Sequence, residues 1–121
     1  MGLDMYALAT HESTDQQVDF HPSEYITLHT WRKHPNLHGW MEQLYFEKGG
    51  NSDCFNCTTV ALTADDLDRL ETAIHMNALP NTSGFFFGKS DGVEIDDDLD
   101  FIHKARQAIS EGSTVFYDSW W

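Results

Sequence analysis

Apolar residues recur along this chain with two different periods, and the switches between them predict its elements. Residues 3–9 (LDMYALA) set Leu3, Met5 and Ala7 on one face and Asp4, Tyr6 and Leu8 on the other, the period of two of a half-buried strand. Residues 24–32 (EYITLHTWR) alternate Tyr25, Thr27, His29 and Trp31 with Ile26, Leu28, Thr30 and Arg32, and their β-branched and aromatic side chains predict a second strand. The polar, aperiodic run 10–17 between them is a loop. At His34-Pro35-Asn36 the period changes, because proline disfavours the α conformation at the residue before it and Asn36 is suited to cap a helix. Leu37, Trp40, Met41, Leu44 and Lys48 then lie three or four apart, predicting a helix that ends at Gly49-Gly50, with His34 in the turn and His38 in the first helical turn.

Residues 55–62 (FNCTTVAL) read as a third strand with Cys57, Thr59 and Ala61 on one face. Thr63-Ala64-Asp65-Asp66 has the form of a capping box with Asp in place of Glu, and Leu67, Leu70 and Ile74 continue at helical spacing toward Leu79-Pro80. Residues 81–90 (NTSGFFFGKS) hold three consecutive phenylalanines, so either both faces of the segment are buried or one ring lies exposed at a pocket. The acidic run 91–100 leads into a third helix carrying Phe101, Ile102, Ala105 and Ile109, with acid early and base late as the helix dipole favours. Gly112 ends it, and residues 113–121 (STVFYDSWW) form a closing strand. The order predicts an α+β fold: a single domain over residues 1–121, with an antiparallel or mixed sheet of about four strands covered mainly on one face by three helices.

Composition adds a charge. Seven Lys and Arg against twenty Asp and Glu give a net charge of −13, which argues against unaided binding to nucleic acid or anionic membrane, since each phosphate contact needs a cation. A basic partner, a metal or solubility alone fits it. Hydrophobic residues make up 40% of the chain, enough to offset the ordering entropy, yet no apolar run approaches a membrane span and residues 1–6 lack the basic and apolar regions of a signal peptide. A cytoplasmic protein is expected, in which Cys54 and Cys57 (CFNC) point to metal or free thiols rather than a structural disulfide.

The densest chemistry lies in residues 31–40 (WRKHPNLHGW). Trp31, Arg32, Lys33, His38 and Trp40, with Phe86 and Trp120, could seat a small ligand whose anionic part is fixed by the guanidinium, amine and imidazole. Each aromatic taken singly is more often core, and Trp120 is expected to tie down the closing strand. His34-x3-His38 and Cys54-x2-Cys57 supply four ligands of the types zinc uses, in the reverse of the usual finger order; the alternative is that no cofactor is bound and these are two helix-start histidines and two small strand cysteines. A small hydrolase would use His38 as general base with Arg32 and Lys33 as anion clamps and Asp53 as a second carboxylate. No nucleophile elbow, phosphate loop, His-Glu-x-x-His motif or dinucleotide fingerprint supports catalysis.

Residues 1–6 (MGLDMY), Trp31-Arg32-Lys33 with His38 downstream, Asp53-Cys54, residues 79–88 (LPNTSGFFFG) and residues 117–120 (YDSW) together resemble a family of small uncharacterised proteins encoded by tailed phages and some bacteria. These islands cover about a quarter of the chain and keep their order from end to end. The sequence departs from the family pattern at His34, where a small residue is expected, and at Cys57. The resemblance implies a phage or prophage origin and a place in the cytoplasm of an infected cell, and it implies no activity. With the acidic surface, it leads to the expectation of a small accessory protein that binds a host component without catalysis, either a basic protein or a small anionic ligand.

Overall fold

The computed structural model describes residues 2–12, 16–80, 82 and 94–121. Among these described residues, four strands and three helices follow in the expected order: β1 (Asp4–Thr10), β2 (Ile26–Arg32), α1 (Pro35–Glu47), β3 (Val60–Leu62), α2 (Ala64–His75), α3 (Ile95–Ser110) and β4 (Thr114–Trp120). The strands form one antiparallel sheet in the order β2-β1-β4-β3, so the fold is α+β.

Alternation along each strand divides the sheet into two faces. Met5, Ala7 and Ala9 of β1, Trp31 of β2, Val115 and Tyr117 of β4 and Val60 and Leu62 of β3 are buried in one cluster. Leu37, Met41, Leu44 and Tyr45 of α1, Leu67, Leu70 and Ile74 of α2, and Phe101, Ile102, Ala105 and Ala108 of α3 complete that cluster, so all three helices pack on this inner face. Leu8, Ala61 and Phe116 point the other way and are closed off by Phe20. The Phe20 and Phe116 rings meet edge to face at 5.1 Å, and Phe20 is fixed by its backbone N–H donating to Thr59 Oγ1 at 2.9 Å. The opposite half of this outer face is more open among the described residues: Arg32 and Trp120 are exposed, and Asp4 and Tyr6 are partly so.

Helix ends follow backbone chemistry. Thr63 Oγ1 accepts from the Asp66 backbone N–H while the Asp66 carboxylate accepts from the Thr63 N–H, the reciprocal capping box read from the sequence. All three helices stop the same way, with a residue of positive φ just beyond the cap (Gly49, Asn77 and Gly112) and a backbone N–H one residue further reaching five residues back. Asn77 therefore ends α2 at His75, short of the expected Pro80.

Two other boundaries differ from expectation. α1 begins at Pro35, whose missing N–H costs nothing in the first turn, so His34 is the N-cap residue; Asn36 does not cap but accepts from the Thr82 N–H at 3.1 Å. The third strand is only Val60–Leu62 rather than 55–62. Cys57 has φ +58, its N–H donates to the Ser119 carbonyl at 2.8 Å, and the Asn56 N–H donates to the Cys54 carbonyl at 2.9 Å, so the backbone there turns instead of pairing. Cys57, Thr59 and Ala61 consequently do not share a face: Cys57 is exposed, Thr59 bonds the Phe20 loop, and Ala61 joins the outer cluster. The phenylalanine run, with Phe86, lies outside the described residues.

Candidate functional site

The stretch 31–40 is distributed over both faces of the sheet. Trp31 points inward and Arg32 outward, as neighbours on a strand must. Lys33 then takes φ +57 and its N–H donates to the Leu3 carbonyl at 2.8 Å, a tight turn that aims His34 back into the interior. Asp98, only 1% exposed, meets both inward side chains: Trp31 Nε1 donates to Oδ1 at 2.9 Å and His34 Nε2 lies 2.8 Å from Oδ2. Beside it, His29 Nε2 is 3.0 Å from Asp97 Oδ2, and the Trp31 ring packs edge-on against Phe101 at 4.9 Å. This cluster braces the start of α3 against β2 and the start of α1.

His38 is also interior. Its Nδ1 is 2.7 Å from the Tyr117 hydroxyl, and its ring lies 5.0 Å from that of Phe55. Burial pushes its pKa down to about 4, against a smaller opposing effect of the Phe55 backbone, so the ring is neutral at physiological pH. Burial likewise raises the Tyr117 hydroxyl well above its ordinary value. Tyr117 belongs to the inner face and Arg32 to the outer, so His38 and Arg32 lie on opposite sides of the sheet. A general base at His38 clamped by Arg32 and Lys33 is not assembled here. Trp40 is partly buried against the core.

The zinc residues are likewise dispersed. His34 meets Asp98 and His38 meets Tyr117, while Cys54 and Cys57 are exposed free thiols in the loop before β3. Partial desolvation, and next the Asp118 charge, raise the Cys57 thiol above its ordinary value. Among the described residues, no three His, Cys, Asp or Glu side chains are grouped to hold a metal ion.

What the fold does assemble lies on the open half of the outer face. The register sets Arg32, Asp4 and Trp120 in one row across β2, β1 and β4, with Thr30, Tyr6 and Asp118 in the next. Arg32 Nε is 3.6 Å from Asp4 Oδ1, with both side chains largely in solvent. Trp120 is 68% exposed, which corrects the expectation that it ties down the closing strand. Trp121 has that role: its N–H donates to Asn56 Oδ1 at 2.9 Å, its carbonyl accepts from Asn56 Nδ2 at 2.9 Å, and its Nε1 donates to the Phe55 carbonyl at 2.8 Å. Gly2, Asp4, Trp120 and Trp121 line a pocket of about 330 Å³. Asp118 stands in the adjoining row, its carboxyl raised by burial against the Ser119 N–H that it accepts.

Comparison with protein-family models, with curated proteins and with solved structures gives no match. Of the ligand residues read from the sequence, Arg32 and Trp120 share this surface, whereas Trp31 and His38 are core. Asp4, central to the row, carries no sequence signal of a site beyond its alternation with Met5, which places it opposite the apolar face.

Proposed function

We propose that this chain is a small acidic accessory protein of phage type that binds a basic protein partner without catalysis. The observation that carries the reading is the disposition of its cations. Arg32 pairs with Asp4, Lys48 with Asp66, Arg69 with Glu47, Lys104 with Asp100 and Arg106 with Asp68 and Glu71. Lys33 is the one described Lys or Arg outside these pairs, and Lys89 lies outside the described residues. Among the described residues, Glu12, Asp19, Glu24, Asp53, Asp65, Asp96 and Glu111 are exposed acids that belong to none of these pairs. Such a field attracts a positively charged surface, speeds encounter and disfavours anions. A small anionic ligand is the weaker reading because the guanidinium that would clamp it already faces a carboxylate. The phage and host assignment rests on the sequence resemblance alone.

The test is calorimetric titration with a lysine-rich peptide and a glutamate-rich peptide of equal length, each at low and physiological salt. The reading predicts that only the lysine-rich peptide binds and that added salt weakens it. Equal binding of both, or binding of inorganic phosphate instead, contradicts it.

A further inference from the structure

Within that reading of a basic partner, we infer that the pocket lined by Gly2, Asp4, Trp120 and Trp121 seats one lysine or arginine side chain of the partner protein. Trp120 is 68% exposed, whereas its neighbour Trp121 is held by three hydrogen bonds to residues 55 and 56. The two consecutive indoles therefore have different roles, and stability does not account for the exposed one. An exposed indole in a surface depression is the kind of side chain that anchors protein interfaces.

The register makes Asp4 the direct cross-strand neighbour of Trp120, close enough for both to touch one guest. A carboxylate beside indoles is the chemistry of cation recognition, in which the charge meets the carboxylate and the alkyl or guanidinium part lies on aromatic surface. The volume of about 330 Å³ is at the small end of ligand pockets, which suits a single side chain better than a larger molecule. Arg32 supplies an internal precedent: its guanidinium approaches Asp4 Oδ1 to 3.6 Å, and both groups are solvated enough to separate, with side-chain exposures of 65% and 49%. Arg32 is thus a competitor for the incoming cation, not a clamp for an anion, and this fixes the sign of its substitution.

The experiment is a titration of the full chain with N-acetyl-lysine methylamide, its arginine counterpart and the neutral norleucine counterpart, followed by the Trp120 indole N–H resonance. The two cationic probes are expected to shift that resonance saturably and the norleucine probe to leave it in place. Asp4→Asn should abolish the response at the Trp120 resonance. Trp120→Ala should abolish the response of the Trp121 indole, with the melting temperature of both variants near wild type. Arg32→Gln should bind roughly two- to fivefold tighter, the range an exposed competing ion pair allows. An equal response to norleucine would make the pocket merely apolar and overturn the inference. Weaker binding of the cationic probes in Arg32→Gln would contradict competition for Asp4 and overturn the inference, and self-association lost in Trp120→Ala would give the pocket to a second copy of the chain. No response up to the solubility of the probes overturns it as well. If a lysine-rich peptide still binds Trp120→Ala with wild-type affinity, the pocket assignment fails while the basic-partner reading stands; if that peptide does not bind the wild type, the reading itself fails.

Discussion

His34 Nε2 lies 2.8 Å from Asp98 Oδ2 across 64 residues of sequence, with both side chains almost wholly removed from water. Trp31 donates to the second oxygen of the same carboxylate, so one buried Asp ties the edge strand and two helix starts together. Asp98→Ala removes the acceptor of both and is expected to cost about 3 kcal/mol in urea denaturation. Arg32→Gln, which loses only a solvated contact, should change stability by about 0.5 kcal/mol or less. Similar losses in the two variants would show that Asp98 is not the brace.

His38 should make the protein acid-sensitive above the range of its carboxylates. The folded state holds this imidazole near 4 while the unfolded value is about 6.5, so its contribution is full above 6.5 and is lost as pH falls toward 4. The total loss is roughly 3 kcal/mol. Asp66 behaves in the same direction but lower: burial is outweighed by Lys48 and Thr63, its carboxyl sits below 3.8, and its contribution disappears only beneath that. Urea midpoints at about pH 7.5 and about pH 5 should therefore drop in wild type and drop less in His38→Gln. An equal drop in both assigns the sensitivity elsewhere.

The consecutive tryptophans should separate cleanly. Trp120→Ala is expected to alter stability by about 0.5 kcal/mol or less, as exposed substitutions do. Trp121→Ala strips a ring packed on the core and its bond to Phe55, and should cost about 2 kcal/mol. Equal effects by thermal denaturation would contradict the division of roles.

The cap of α2 carries more than a helix end. Thr63→Ala should cost about 1 kcal/mol and Thr63→Ser should restore it. Asp66→Ala should cost roughly 3 kcal/mol, because the same carboxylate also holds Lys48, whose side chain is only 14% exposed. If Asp66→Ala is no worse than Thr63→Ala, the lysine contributes nothing.

Local chemistry made much of this fold legible. Alternation in residues 3–9 located β1 and its faces, and Thr63 to Asp66 announced a helix start with the bonds the structure contains. What could not be read is set by partners distant in sequence. Asp98 looked like one of three acids favouring a helix dipole, and nothing nearby marks it as the acceptor for Trp31 and His34. Arg32 and Trp120 were both singled out, but which strands neighbour one another is decided by closure of the sheet, so Asp4 between them went unnoticed. The turn at Cys57 broke an apparent strand because its backbone bonds the carboxy-terminal segment, a contact that no period-two pattern encodes.

The most direct test of a basic partner docking on the open sheet face is a backbone and indole NMR titration with a lysine-rich peptide at physiological salt. The account predicts shifts concentrated at Asp4, Tyr6, Asp118, Trp120 and Trp121 that saturate together and fade as salt is raised. Shifts spread over the acidic surfaces of α2 and α3 with none at Trp120, or no saturation at any site, would contradict it.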